Sequence, residues 1–202
     1  MKNPKSWRAE LYTGSSADFK IYFFDVETGK LIQTFKTLTN TITALQFSDD
    51  DHYLAIGAYV EDNMGGIAIF KKDRATGLYD LHKHLKEFGE GKISSLDFDS
   101  NGRLLVASKG SNVRLFDDKF NLLKEIKGSG TFPNSAVFSP DEKKIAIAYL
   151  DAAEIDVYSA QKYNLLYHPN IGELGASAFR TVCFSQDNKY LFAAGGVIEP
   201  LE

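Results

Sequence analysis

Short runs of alternating apolar and polar residues recur along the chain, and each ends in a phenylalanine followed by a turn rich in Ser and Asp. A second, mostly apolar run then follows, as in ITALQFSDDDHYLAIGA at residues 42–58. Alternation with period two is typical of half-buried β-strands, and Ser and Asp favour turns because their side chains bond nearby backbone groups. The same arrangement at residues 42–58, 93–109, 134–150 and 179–195 predicts four β-hairpins.

The four hairpins are spaced as a repeat. Their anchoring phenylalanines are Phe47, Phe98, Phe138 and Phe184, which lie 51, 40 and 46 residues apart. Third strands are predicted at residues 19–25, 66–70, 113–117 and 154–158, and fourth strands at residues such as 30–36 and 121–127. Repeats of about 40–45 residues with four short strands each are typical of the blades of a β-propeller.

One stretch has a competing interpretation as a calcium-binding loop. Asp97, Asp99, Asn101 and Gly102 match the first half of an EF-hand loop, which requires a bidentate Glu at its twelfth position and a helix on each side. The twelfth position here is Ser108, and the flanking residues have no helical period. The stretch is therefore predicted to be a hairpin turn.

These residues resemble the repeats of the WD40 family over nearly the whole chain. Residues 138–141, Phe-Ser-Pro-Asp, resemble the family's first hairpin turn, and Phe24–Asp25 and Phe116–Asp117 occupy the position of its Trp-Asp pair. Asp18 occupies the position of the loop aspartate in the family's structural hydrogen-bond tetrad. The chain departs from the pattern because it has no Gly-His dipeptide and its only tryptophan, Trp7, lies elsewhere. The tetrad is therefore not assumed in any blade.

The predicted fold class is all-β, a WD40-type β-propeller of about four to five blade repeats of four antiparallel strands. The expected units are a partial blade at 1–39, blades at approximately 40–90, 91–128 and 129–170, and a partial blade at 171–200. Residues 201–202, Leu-Glu, have the sequence of a cloning remnant. We expect an incomplete ring, a fragment of a longer propeller; a ring completed by another chain and a small closed ring of about four blades remain alternatives.

Composition narrows the class of partner. The 202 residues carry a net charge of −4 and are 44% hydrophobic and 25% charged, which is ordinary for a globular protein and gives no basic field for nucleic acid. No apolar run approaches the ~18 residues of a membrane span, and the N-terminus lacks the apolar core of a signal peptide. The single cysteine excludes an internal disulfide. We expect a cytoplasmic protein that neither binds nucleic acid nor inserts into membranes.

The candidate chemical groups do not form a known motif. His82 and His84 alternate on a predicted fourth strand, but no Cys, Asp or Glu at ligand spacing accompanies them, so no metal and no cofactor are predicted. The run GEGKIS at residues 89–94 lacks the first glycine of a phosphate loop and leads into a strand. Cys183 lies in a first strand, where we expect it to pack between blades and not to act as a nucleophile.

The first functional hypothesis is a non-catalytic scaffold for protein–protein interaction. The resemblance implies a partner-binding face made of the loops that precede first strands and the loops that join second to third strands. Phe132 and Arg180 are the preferred anchors, since aromatic residues and Arg are over-represented at binding hot spots. The expected partner is a protein or peptide, with a homodimer or neighbouring blades of a longer parent as further partners. The candidate binding residues on this face are Asp18, Lys92, Lys109, Asn112, Phe132 and Arg180.

The alternative is a hydrolase or lactonase-like enzyme with its site in the central channel. Such sites in propellers need several inward-facing acidic residues or histidines, usually around a metal. The first strands, which are expected to line the channel, offer only a weakly polar set without a ligand cluster, and we predict that the protein is not an enzyme. The residues of that set are Thr43, Gln46, Ser94, Ser95, Asp97, Ser135 and Thr181.

Overall fold

The computed structural model describes residues 20–36, 41–60, 66–86, 88, 91–110, 112–172 and 178–196. Within those ranges every regular element is a strand, so none of the described residues forms a helix that could span a membrane. The strands are β1 Lys20–Phe24, β2 Leu31–Lys36, β3 Ile42–Phe47, β4 Tyr53–Val60, β5 Ile67–Lys72, β6 Tyr79–Leu85, β7 Gly91–Phe98, β8 Leu104–Ser108, β9 Val113–Phe116, β10 Leu122–Ile126, β11 Pro133–Phe138, β12 Lys144–Tyr149, β13 Ile155–Ser159, β14 Leu165–Tyr167, β15 Ala178–Phe184 and β16 Leu191–Gly196.

The strands form three four-stranded antiparallel blades with a hairpin at each end. Blade 1 is β3–β6, blade 2 is β7–β10 and blade 3 is β11–β14, while β1–β2 and β15–β16 are two-stranded. The far end of β4 also pairs with the start of β7, where Tyr59 lies opposite Lys92, and this joins blades 1 and 2 into one sheet of eight strands. The architecture is a partial β-propeller, and the fold class predicted from the repeats is confirmed.

The inner hairpins of all three blades pair the anchoring phenylalanine with an apolar residue at the start of the second strand: Phe47 with Leu54, Phe98 with Leu104 and Phe138 with Ile145. The turn of blade 2 is one residue shorter than the other two, yet the pairing is kept. The alternation in sequence fixes it, because a slip by one residue would turn each core side chain to the other face.

Serine side chains close most of the hairpin turns. The hydroxyls of Ser48 and Ser139 hydrogen-bond to the carboxylates of Asp50 and Asp141 at 2.6 and 2.7 Å. In blade 2 Asp99 takes the place of the serine and accepts the backbone N–H of Arg103 at 2.8 Å. The stretch that matched half of a calcium loop is thus a hairpin turn, as predicted.

The core consists of buried clusters between neighbouring blades. Second strands such as β8 are buried at every position, because a blade covers each of their faces. The clusters are represented by Ile21 with Ile56, Ile69 with Val106, Leu115 with Ile147, and Ala148 with Val182.

The C-terminal hairpin is the exception to this burial. Strand β16 is exposed at five of its six positions, and Phe192 is 58% exposed. Cys183 on β15 is also exposed, so the expectation that it packs between blades is wrong. The reason is that no described blade lies against this side of the hairpin.

Candidate functional site

The candidate site lies at one end of the strands, where the loops before first strands meet the loops between second and third strands. We call the surface formed by Lys109, Phe132, Asp151 and Arg180 the loop face. Its central aromatic side chain, Phe132, is 36% exposed. The backbone holds this residue on both sides, since its carbonyl accepts the N–H of Leu150 at 3.0 Å and its N–H donates to Asp151 at 2.9 Å.

Asp151 fixes the loop that carries Phe132. Its Oδ2 atom accepts the backbone N–H of Thr131 at 2.8 Å, and the Thr131 hydroxyl donates to the same oxygen. Burial raises the pKa of the Asp151 carboxyl, but the hydrogen bonds from Thr131 and Phe132 outweigh it, so the pKa lies below its usual value. The carboxylate is therefore charged, and it fixes the backbone of the loop from which the Phe132 ring projects.

Two of the predicted binding residues meet on this face. The Nζ atom of Lys109 lies 5.5 Å from the centroid of the Phe132 ring, within the range of a cation–π interaction. Arg180 has an exposed side chain, and its backbone carbonyl accepts the side-chain amide of Asn134 at 2.6 Å.

The remaining predicted residues are less available. Lys92 in β7 is half-buried and lies opposite Tyr59 of β4, so it belongs to the edge between blades 1 and 2. The side chain of Asn112 hydrogen-bonds to Glu125 on β10, an outer strand. Asp18 lies outside the described residues.

Four polar residues of the first strands tie each blade to the next, whereas the buried hydroxyl of Ser94 has no hydrogen-bond partner among the described residues. Side chains from one first strand hydrogen-bond to the backbone of the neighbouring first strand or its hairpin. Because these side chains are already occupied, they form a structural seam rather than a cluster of free catalytic groups. The four seam contacts are Thr43 to Ile93 O at 2.6 Å, Ala136 N to Ser95 at 2.9 Å, Phe138 N to Asp97 at 2.7 Å and Val182 N to Ser135 at 3.4 Å.

Asp97 is the member of the seam with the most perturbed acidity. Burial, followed by the negative charges of Asp49 and Asp99, raises the pKa of its carboxyl to about 6, against the lowering effect of the Phe138 N–H. A carboxyl with this pKa changes charge near neutral pH, so the seam is sensitive to pH at this point.

A second polar network, in blade 3, was not found from the sequence. Asp156 on β13 is fully buried, and it accepts hydrogen bonds from the Ser129 hydroxyl at 2.6 Å and the Tyr149 hydroxyl at 2.7 Å. The Nδ1 atom of His168 lies 3.0 Å from its Oδ1 atom. Burial and the bond to Asp156 raise the pKa of the Tyr149 hydroxyl above its usual value. The sequence signal was Asp156, a carboxylate flanked by the apolar residues Ile155 and Val157 of the predicted third strand.

Three residues of this region are of types that can bind a metal ion. One ligand atom each from Glu154, Asp156 and His168 lies within 4.8 Å of the others. Both oxygens of Asp156 are already in use: Oδ2 accepts the Tyr149 hydroxyl and the Ser129 N–H, and Oδ1 accepts the Ser129 hydroxyl and contacts His168. A metal ion would have to displace these contacts, and the arrangement instead fastens the loop at Ser129 to the buried strand.

Comparison with known proteins agrees with the architecture. The family model described as WD domain, G-beta repeat matches residues 29–64 and 78–117. The second match ends at Asp117, which follows β9 in the position that the sequence analysis assigned to the family's aspartate. A comparison with curated proteins gives no significant match for this chain.

Proposed function

The chain belongs to the WD40-repeat family, and from this we propose that it is a non-catalytic scaffold whose loop face binds a protein or peptide partner. Repeats of this family generally mediate protein–protein interaction. Exposed loops on a fixed β-framework are where binding residues concentrate, and the loop face fits that description.

The observation that carries the proposal is the ordered, exposed ring of Phe132. Asp151 holds its loop through three hydrogen bonds, so a partner would not have to order the loop when it binds. Pre-ordered aromatic side chains are frequent hot spots in protein interfaces. Lys109 adds positive charge beside the ring, and Arg180 is exposed at the start of the next first strand, whereas the carboxylate of Asp151 accepts hydrogen bonds from its own loop. We therefore expect a partner segment with an apolar residue next to acidic ones.

The polar groups of the inner strands support a scaffold over an enzyme. The four side chains of the seam are committed to the backbone of a neighbouring blade. A catalytic role would require them to be released, at a cost of about 1–3 kcal/mol for each buried group left without a partner. The cytoplasm is the compartment that we propose, because a single cysteine suits a protein that does not depend on disulfides.

The test is to select peptides from a displayed random library on the immobilised protein and to measure their affinities by titration calorimetry. Phe132→Ala should weaken the selected peptides by at least about tenfold, as expected for loss of a hot-spot residue. Phe192→Ala is the matched control, because Phe192 is an exposed phenylalanine on β16 and not on the loop face. Unchanged affinity in Phe132→Ala, with its thermal unfolding also unchanged, would refute the proposal.

A further inference from the structure

Two aromatic rings with two lysines between them form a row across the loop ends of blades 1, 2 and 3. The row extends the loop face toward blade 1, and its two ends are the rings of Tyr59 and Phe132, which are 37% and 36% exposed. Of the two lysines between them, Lys92 is half-buried and Lys109 is exposed. We call these four residues the loop-face row.

The same backbone contact produces each position of the row. In each of the three blades, a residue at the end of the second strand donates its N–H to the carbonyl of a residue at the start of the first strand. Because only backbone atoms take part, the bond places no demand on the side chains at these positions. The rings and the lysines therefore need a reason other than the fold. The three bonds are Tyr59 to Thr41 at 2.8 Å, Lys109 to Lys92 at 2.9 Å and Leu150 to Phe132 at 3.0 Å.

Pairing between blades 1 and 2 brings Tyr59 beside the lysines. Tyr59 lies opposite Lys92 where β4 pairs with β7, and Lys109 lies on the other side of Lys92. Gly91, with a φ of 125°, permits this close approach, because a Cβ atom there would lie 2.5 Å from the carbonyl oxygen of Lys109. Opposite residues of neighbouring strands project to the same face of a sheet, so Tyr59 and Lys92 share one face.

The two lysines of the row form a pair of like charges. Neither Lys92 nor Lys109 forms an ion pair with a carboxylate among the residues that the structure describes. Like charges on neighbouring strands destabilise a sheet, and a carboxylate brought by a partner would relieve this repulsion. The Nζ atom of Lys109 also lies 5.5 Å from the centroid of the Phe132 ring, which holds its charge next to an apolar surface. The row is thus complementary to an acidic group flanked by apolar ones.

The length of the row sets the spacing of the residues that it can bind. Opposite residues of antiparallel strands lie about 4.5–5.5 Å apart, so the Cα atom of Tyr59 lies about 10 Å from that of Lys109, and the Phe132 ring lies beyond the lysine. An extended peptide rises about 3.3 Å per residue and places alternate side chains on one face. Side chains four positions apart therefore share a face and lie about 13 Å apart, which matches the two rings. The side chain midway between them faces the lysines.

We propose that the loop-face row binds an extended peptide that has apolar residues four positions apart and an Asp or Glu midway between them. The apolar side chains pack on Tyr59 and Phe132, and the central carboxylate lies between Lys92 and Lys109. Aromatic residues supply large contact areas at interfaces, whereas charge complementarity selects the partner. The inference rests on the proposed function of the loop face and adds to it a second aromatic anchor and the spacing of the partner's residues.

The test uses synthetic peptides with the core Leu-Ser-Glu-Ser-Leu, labelled for titration by fluorescence anisotropy at constant pH and ionic strength. Replacing the central Glu by Gln should weaken binding about three- to tenfold, as expected for the loss of two solvent-exposed ion pairs. Moving one Leu by a single position should weaken binding at least about fivefold, because its side chain would then face away from the row.

Variants of the two rings show whether both anchors contact the peptide. Tyr59→Ala and Phe132→Ala should each weaken the matched peptide at least about tenfold, as expected for hot-spot residues. Tyr190→Ala is the matched control, because it removes an exposed tyrosine from the C-terminal hairpin, and it should bind as the unaltered protein does.

Variants of the lysines test the central contact separately. Lys92→Gln/Lys109→Gln should bind the Glu and Gln peptides equally, which a loss of folding alone would not produce while the Leu side chains still bind. Lys143→Gln/Lys189→Gln, which removes two exposed lysines from other turns, should keep the preference for Glu.

The outcomes distinguish this inference from the proposed function. Equal affinity of the unaltered protein for the Glu and Gln peptides, or unchanged affinity in Tyr59→Ala, would overturn the inference. If peptides selected from the random library still depend on Phe132 in that case, the loop face remains the binding surface. Independence from Phe132 as well would count against the proposed function itself.

Discussion

Replacing Asp97 by Asn should change how the stability of the fold depends on pH. The substitution removes the ionisable group but keeps a carbonyl oxygen that can accept the Phe138 N–H, now bonded to the carboxylate at 2.7 Å. The variant therefore separates the effect of the Asp97 charge on stability from the effect of its hydrogen bond to Phe138.

The magnitude follows from the raised pKa of Asp97. Burial is the largest cause of the increase from 3.8 to about 6, so the folded protein holds this proton more tightly than the unfolded chain does. The contribution to stability is fully present below the unfolded pKa and is lost as the pH rises through about 6. One pKa unit corresponds to about 1.4 kcal/mol, which gives about 3 kcal/mol as the upper value and about 1–3 kcal/mol as the expected loss in the wild type. The Asp97→Asn variant has no carboxyl at this position, so its stability does not fall in this way as the pH rises.

Urea denaturation of both proteins at about pH 4 and about pH 8 measures the effect. The stability of Asp97→Asn relative to wild type should increase by about 1–3 kcal/mol between the two conditions. Asp187→Asn is the control, because hydrogen bonds from Ser185 and Lys189 lower the pKa of Asp187 and its contribution is lost only as the pH falls below about 4. Its stability relative to wild type should therefore stay nearly constant between the two conditions. A relative stability of Asp97→Asn that stays constant or decreases as the pH rises would refute the reasoning.

Three further predictions concern blade 3 and the C-terminal hairpin. Gly128→Ala should destabilise the fold by about 2 kcal/mol or more, because its Cβ atom would overlap the Tyr149 hydroxyl; Gly196→Ala, with open space around it, should be neutral in the same thermal melts. Tyr149→Phe removes a hydrogen bond to buried Asp156 and should cost about 1–3 kcal/mol in urea denaturation, and no loss would contradict the network. Cys183 should react with one equivalent of a thiol reagent in the native protein, whereas a thiol packed between blades would react only after unfolding.

The strands could be predicted from the sequence because their information is local. Alternation, a phenylalanine at the end of the first strand and a Ser or Asp in the turn recur in each repeat, and each describes residues that pair within about twenty positions. The register of Phe47, Phe98 and Phe138 follows from the same local rules.

Side-chain contacts between distant positions could not be predicted in this way. Ser129 meets Asp156 across 27 positions within blade 3, and Lys109 reaches Phe132 from a different blade. The first pair depends on how a loop folds back onto its own blade and the second on how the blades stack, and the alternation of residues along the strands encodes neither. Cys183 was misplaced for the same reason: the repeat predicts a neighbouring blade on both sides, and the described structure has one on only one side of this hairpin.

The arrangement of the strands explains why one small scaffold carries two different surfaces. In an antiparallel blade, successive connections alternate between the two ends, so turns after the first and third strands gather at one end and the remaining loops at the other. The first set carries charged residues such as Asp73 and Arg74, and the second carries the apolar ring of Phe132. Each set is anchored by its own carboxylate, Asp73 or Asp151, bonded to backbone N–H groups of its loop. Because the anchors are separate, a substitution in one surface leaves the support of the other intact.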